Sequence, residues 1–457
     1  MAKDARQAAV EALIRIHRDG GYSHLVWETA LGRQGWKEED AAFASRLLYG
    51  VLERRLTLDY ALASHSSLKL KKLHPVVLEI LRTGAYQLLY MDRVPASAAV
   101  NEAVKLARAM RQERSCGYVN AVLRAVDRDR AHLFDRLPPG EAGLAVRTSC
   151  PEPLLALWRR AYGAEMAERL AESANEPPPA YIRINTLKTT QAAFLREAEK
   201  AGLRLEAVPS LPGCIRVENP AFLKKLAPAA ETWYYHQDMA SQLCCKALNP
   251  RPGERIADVC AAPGGKSLTA AQYMENRGEI LASDLYAAKC EAMEKRAGEL
   301  GAGIIRTAAR DAASPCPEPL RGRFDRVICD VPCSGLGVIR RKPEIRYKPL
   351  ETFAGLPETQ YAILCRAAEM VRRGGVLQYS TCTLNPAENE AVTARFLAEH
   401  PDFAPRPLPL GADLWWDGGL PYQLTLFPPV HGTDGFYIAG FVRRSSDTAG
   451  NRDEVTS

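Results

Sequence analysis

Apolar residues recur at helical spacing through the first third of the chain. Val10, Leu13, Ile14 and His17 form one such stripe and Phe43, Leu47 and Val51 a second. Val77, Leu81 and Leu88 make a third, and Val119, Val122, Leu123 and Val126 a fourth. Proline and glycine are sparse until "LPPGE" near residue 137 closes the run. The pattern predicts an all-helical domain over residues 1–140. Residues 145–245 change character. "LLALWRRAYGAEMAERLAESANEPPPAYIRINTLKT" reads as helices, a break at three consecutive prolines and then a strand. "TTQAAFLREAEKAGLRLEAV" continues as helix and strand, so a small α+β module is expected there.

From residue 246 to about 445 the rhythm becomes strand, helix, strand. "RIADVCAA", "GEILASD", "GIIRTAARD", "FDRVICDVP" and "GGVLQYST" are short, nearly continuous apolar runs, separated by helical segments over 286–300 and 357–372. Such runs suit strands buried on both faces of a parallel sheet covered by helices, an α/β Rossmann-like domain. "QLTLFP" and "GFYIAGFVR" lie close together and predict an antiparallel edge. The residues 446–457 are polar and are expected to be disordered.

Composition narrows the class. At 457 residues the chain is too long for one ordinary domain, and 47% apolar with 25% charged residues is globular. No apolar run reaches the roughly 18 residues of a membrane span, and the N-terminus lacks a signal-peptide core, so a soluble cytoplasmic protein is expected. The 12 cysteines show no zinc-ligand spacing, which predicts reduced thiols and no metal. The net charge of +6 is unevenly placed: residues 1–150 hold 23 Lys and Arg against 17 Asp and Glu, while the remaining 37 of each cancel. A basic N-terminal third suits contact with a polyanion, or simply a solvated surface.

The strand ends carry the chemistry. In open parallel sheets ligands bind beyond the carboxyl ends of the strands. The first strand of the third domain ends in "DVCAAPGGKS", which has neither the GxGxxG nor the GxxxxGK[ST] phosphate pattern. The next ends at Asp284, 19 residues after Gly265, close to the roughly 20-residue offset at which an acidic residue meets ribose hydroxyls. Further strands end at Asp311 and Asp330. Carboxylates repel phosphate but suit a ribose, an adenine amino group and a cationic sulfonium, which points to S-adenosyl-L-methionine. Taken singly, each aspartate could equally cap a turn.

Two cysteines lie just beyond strand ends, Cys333 in "VICDVPCSG" and Cys382 in "YSTCTLNPAENE". Cys329, inside its strand, reads as a small core residue. A thiol beside a methyl donor has a specific use. Carbon 5 of a pyrimidine is a poor nucleophile until a thiolate adds to carbon 6; the chemistry also needs an acid near N3 and a route for breaking the adduct. Asp330, Cys333 and Cys382 can supply these parts.

"CAAPGGKS", "DVPCSGLG" with "IRRKPEIRYK", and "YSTCTLNPAENE" resemble the signature blocks of the Nop/Sun family of RNA cytosine-5 methyltransferases. "SCGYVNAVLRAV" at 115–126 resembles a NusB-like RNA-binding domain, and "RINTLK" and "HQDMASQL" also match family segments. The resemblance covers nearly the whole chain and is nearest to the Sun/Fmu type that modifies small-subunit (16S) ribosomal RNA. It implies Cys382 as nucleophile, Cys333 as the aid to adduct breakdown and Asp330 at the cytosine near N3. It also implies a cofactor site of Cys260, Ala261, Ala262, Pro263, Gly264, Gly265, Lys266, Asp284 at the ribose, Asp311 near the adenine, and Asp330. Lys266 is either an active-site group or a surface lysine at a helix start. Val331, where alanine is commoner, and Glu344, where aspartate is commoner, depart from the pattern and bear on fine geometry only.

A target base must be single-stranded or flipped outward. Arg340, Arg341, Lys342 and Arg346 are expected to grip the surrounding backbone, or to form a solvated loop; Arg54, Arg55, Lys69, Lys71 and Lys72 are weaker candidates. The expected partner is unassembled or partly assembled small-subunit rRNA, met by a monomer. The rival readings are the same chemistry on transfer RNA or another rRNA cytosine, and a non-catalytic RNA-binding assembly factor.

Overall fold

The computed structural model describes residues 4–19, 21, 23–31, 35–415 and 419–445; the tail expected to be disordered lies outside them. The chain divides into two units. One comprises residues 1–177 together with 339–350, the other 178–338 together with 351–457.

In the first unit the helical stripes converge. Val10 and Leu13 of the helix Ala5–Asp19, Leu47 and Val51 of Glu38–Glu53, and Val119, Leu123 and Val126 of Cys116–Asp129 share one core. The helix Pro75–Tyr90 lies inside it, with both apolar and polar side chains buried along Val77 to Leu88, as expected of a central helix. Pro75 presets its first turn, and His74 Nδ1 accepts from the Val76 N–H at 3.3 Å. The helices Gly140–Thr148, Glu152–Tyr162 and Ala164–Ser173 also belong to this unit.

Residues 339–350 leave the second unit as a strap and are built into the first. Glu344 accepts from both the backbone N–H and the hydroxyl of Ser23, at 3.0 and 2.9 Å, at the start of the helix Ser23–Leu31. A carboxylate there complements the positive end of the helix dipole. Arg346, only 2% exposed, donates to Ala174 O at 2.8 Å, Asn175 Oδ1 at 3.0 Å, Glu53 O at 3.3 Å and Thr148 O at 3.4 Å. Those carbonyls close three helices, so one guanidinium serves three negative helix ends. The expectation that Arg346 grips RNA is therefore corrected: its donors are used inside the protein. Arg340 is buried as well, while Arg341 is exposed and Lys342 half-buried.

Arg346→Ala is expected to destabilise the first unit by about 3 kcal/mol, because several buried carbonyls lose their donor at once. Arg346→Lys should recover little of it, since an ammonium lacks the fork. Thermal melting checks this, and an unchanged melting temperature would contradict the anchoring role.

The second unit holds two sheets. Strands β1 (Ala180–Ile184), β2 (Leu205–Ala207), β3 (Cys214–Val217) and β4 (Tyr234–His236) form an antiparallel sheet in the order β2-β3-β1-β4. The helix Gln191–Lys200 covers one face through Phe194 and Ala198.

The larger sheet contains β5 (Arg255–Asp258), β6 (Glu279–Asp284), β7 (Ile305–Ala309), β8 (Phe324–Asp330), β9 (Val371–Thr381), β10 (Phe403–Pro405), β11 (Gln423–Leu426) and β12 (Phe436–Arg443). Its order is β10-β12-β9-β8-β5-β6-β7, with β11 also paired to β12. The strands β5 to β9 are mutually parallel, as the apolar runs predict. β12 is antiparallel but does not form the edge: it lies between β9 and β10. The strand order reverses between β5 and β8, which places a ligand crevice at their carboxyl ends. Among the described residues no helix is long and apolar enough to cross a membrane, and no cluster of three His, Cys, Asp or Glu could hold a metal ion.

Candidate active site

Four strand ends deliver carboxylates to one region. Asp258 ends β5, Asp284 ends β6, Asp311 follows β7 and Asp330 ends β8. Their convergence shows in Cys260: burial first, then Asp258, Asp330, Asp284 and Asp311 together, push its thiol far up. Such a thiol is inert, and the field that silences it favours a cation.

Between β5 and the helix Gly265–Tyr273 the chain turns through a cis Ala262–Pro263 bond and through Gly264 at φ +97°. That conformation suits glycine, and a Cβ on Gly264 would also crowd Met293 Cγ at 3.3 Å. The turn leaves Asp258 buried. Its Oδ2 accepts from Ser267 Oγ at 2.7 Å, whereas Oδ1 has no hydrogen-bond partner among the described residues. Burial pushes its carboxyl up to about 7, against the Ser267 bond and the Lys266 charge. Because the folded state holds this proton more tightly than the unfolded chain, stability falls as pH rises from about 4 to about 7 and then levels, by at most about 4 kcal/mol. Asp258→Asn is expected to flatten that slope in melting temperatures taken across the range. Parallel slopes in variant and parent would contradict it.

Asp284 and Asp311 combine two duties. Asp284 is largely buried, accepts from the Tyr286 N–H at 3.3 Å, and has Lys289 Nζ at 3.5 Å. Beside it Leu285 and Tyr286 are each 58% exposed, an unusual apolar surface at a strand end. Asp311 is exposed and caps its own turn, accepting from Ala313 N and Ser314 Oγ, both at 3.0 Å.

At the β5/β8 switch point Lys266 Nζ donates to Asp330 Oδ2 at 2.5 Å, and Ser380 Oγ donates to Asp330 Oδ1 at 2.7 Å. Lys266 is thus an internal group and not a surface lysine. Burial pulls its ammonium down, but the Asp330 charge and the neighbouring Cys244 outweigh this and hold it above its ordinary value. Its Nζ also lies 5.2 Å from the Phe436 ring centre.

Adjacent parallel strands bring the two cysteines together. Asp330 of β8 pairs in register with Ser380 of β9, and the chains beyond them place Cys333 Sγ 3.4 Å from Cys382 Sγ. The Cys382 loop is fixed by its carbonyl, which accepts from Gly337 N at 3.0 Å. A side chain at Gly337 would run into Gly435 O and the same Cys382 carbonyl, at 2.1 and 2.8 Å, so this approach requires glycine. The contact with Cys382, then burial and the charge of Glu388, hold the Cys333 thiol well above its ordinary range. All 12 cysteines are unpaired by disulfides.

The structure therefore gathers Cys260, Lys266, Asp284, Asp311 and Asp330 on one side and Cys333 with Cys382 beside Asp330. It adds Asp258, Ser334, Ser380 and Glu388, which the motif reading passed over. Asp258 and Glu388 were visible only as acidic residues inside apolar or strand-terminal stretches that then proved buried.

Residues 245–442 match the family model described as 16S rRNA methyltransferase RsmB/F. Residues 3–128 match the NusB family, and residues 150–223 the ferredoxin-like domain of RsmF/B-like methyltransferases. The probable ribosomal RNA small subunit methyltransferase B of Bacillus subtilis is 34% identical over 462 residues, covering 96% of this chain and 98% of its own. Its counterpart in Synechocystis sp. is 36% identical over 441 residues, covering 95% and 98%. The crystal structure of PH0851 shares the fold at a TM-score of 0.78, with 23% identity, over 96% of this chain and 99% of that one.

Proposed function

Because the chain belongs to the RsmB/F family of 16S rRNA methyltransferases, with a NusB-family domain and a ferredoxin-like domain ahead of the methyltransferase sheet, we propose that it methylates carbon 5 of a cytosine in small-subunit rRNA through a transient bond from Cys382 to carbon 6. The observation that carries this reading is the pair of cysteine sulfurs 3.4 Å apart beside the Lys266–Asp330 pair at the switch point.

The residues at the ends of β5, β6 and β7 suit S-adenosyl-L-methionine. They supply a glycine turn, an unpartnered buried carboxylate oxygen on Asp258, exposed apolar surface at Leu285 and Tyr286, and converging negative charge. Asp284 would take the ribose hydroxyls, Asp311 the adenine side, and Cys260, Ala261, Ala262, Pro263, Gly264 and Gly265 the methionine part. Bound there, the cofactor supplies an electrophilic methyl group on a cationic sulfur.

The protein's own groups do the rest. Cys382 attacks carbon 6, and the displaced electron pair makes carbon 5 enamine-like. Asp330, held by Lys266 and Ser380, faces the base near N3, and the proton that N3 takes up as it gains electron density comes from the Lys266–Asp330 pair. Once carbon 5 carries the methyl group, water takes the proton from carbon 5 and the electron pair of the carbon 6–sulfur bond returns to Cys382 as thiolate. Cys333, protonated and in contact with Cys382, is positioned to assist that departure.

Bisulfite mapping of rRNA and tRNA from cells with and without the gene tests the reading. A 16S rRNA cytosine should lose its methyl mark in the deletion; loss confined to tRNA, or no loss, would overturn it.

A further inference from the structure

Glu388 follows Cys382 by six residues and has no exposed surface. Its two oxygens accept four hydrogen bonds. Oε2 accepts from the Ser334 N–H and from Gln360 Nε2, both at 2.8 Å; Oε1 accepts from Ser334 Oγ at 2.5 Å and Asn385 Nδ2 at 2.8 Å. Four acceptor sites are the capacity of an ionised carboxylate. All the donors are neutral, and among the described residues no Lys, Arg or His forms an ion pair with it. A buried carboxylate satisfied this way is a costly arrangement for stability alone.

The donors bracket one residue. Gln360 Nε2 also donates to Pro332 O at 3.0 Å, so Cys333 is held from the residue before it by Gln360 and from the residue after it by Glu388. The same cluster reaches the other loop: Ser334 Oγ lies 2.6 Å from Thr383 Oγ1, next to Cys382, and Asn385 is part of that turn. We propose that Glu388 is a positioning residue of the cysteine pair, tying the Cys333 loop to the Cys382 loop and setting an anionic charge behind Cys333. Cys333 then meets the adduct as a proton-bearing thiol while Cys382 makes and breaks the bond to the base. The proposal rests on the roles given to the two cysteines above. The raised thiol of Cys333 agrees with it: the Cys382 contact and burial come first, and Glu388 adds to them. Among the described residues, Cys382, Glu388 and Tyr379 are titratable groups that face Cys333.

The test compares Glu388→Gln with Glu388→Asp in methyl transfer to 16S rRNA. Glutamine keeps the length, removes the charge and sets an amide NH2 against N–H donors. It is expected to lower kcat on the order of 10²-fold, the cost of misplacing reacting groups by about 1 Å. KM for rRNA and binding of S-adenosyl-L-methionine should be unchanged, which also verifies folding. The limb of the kcat–pH profile that reports Cys333 should move to lower pH, because the thiol loses its anionic neighbour. Glu388→Asp should lower kcat while leaving that limb in place. An unchanged kcat in Glu388→Gln, or the same unmoved limb in both variants, would overturn the proposal. The parent enzyme on rRNA containing 5-fluorocytosine separates the two levels. No denaturation-resistant adduct there overturns the cysteine reading itself, whereas an adduct with an unmoved limb overturns only the role of Glu388.

Discussion

Replacing Cys382 with alanine is expected to abolish methyl transfer to rRNA while leaving the binding of S-adenosyl-L-methionine intact. The residues proposed to hold the cofactor belong mainly to the ends of β5, β6 and β7, whereas Cys382 lies beyond β9 and is fixed by its own carbonyl to Gly337. Loss of the sulfur therefore removes the attacking atom without disturbing the glycine turn, Asp258 or Asp284. Without addition at carbon 6, carbon 5 stays a poor nucleophile. The expected loss is on the order of 10⁴-fold or more, the scale on which removing a covalent nucleophile acts. Rate measurements on unmodified 16S rRNA, with cofactor binding followed by calorimetry, check both halves. Ordinary turnover by this variant would eliminate Cys382 as the nucleophile.

The second large effect concerns Cys333. Its alanine variant should still add Cys382 to the base but fail to release it, so that a protein–RNA species survives denaturing electrophoresis. The loop would keep its place, since Ser334 and Pro332 remain held by Glu388 and Gln360. What disappears is the protonated thiol 3.4 Å from the bonded sulfur. The band should vanish when Cys382 is also replaced. Turnover at the parent rate with no band would take Cys333 out of adduct breakdown.

Much of this was legible in the sequence, for identifiable reasons. The runs around Ile256, Ile280, Val327 and Leu377 are apolar without alternation because both faces of a parallel sheet are covered, so the βα rhythm was plain. The glycine turn and the strand-terminal aspartates followed from where ligands bind on such sheets. β12 was harder: its antiparallel pairing was readable, but its place between β9 and β10 depends on a return of the chain that no local pattern encodes. The helices from Gly140 to Ser173 carry ordinary amphipathic stripes that do not reveal which core they join. The basic run after β8 misled for a related reason. Arg341 and Arg346 look alike in sequence, yet one is exposed and the other closes three helices. Charge alone does not tell a solvated side chain from one that burial has already satisfied.

The strap of residues 339–350 also limits how such a protein can be recombined. A graft that exchanged residues 1–177 for those of a relative would keep the host's Glu344 and Arg346 but change the helix ends that receive them. The natural unit of inheritance is thus a helical domain plus twelve residues encoded far downstream, inside the loop that follows Cys333. Functional chimeras should require both pieces to travel together, and drift at Ser23 or at the carbonyl-bearing helix ends should be tolerated only alongside drift in the strap.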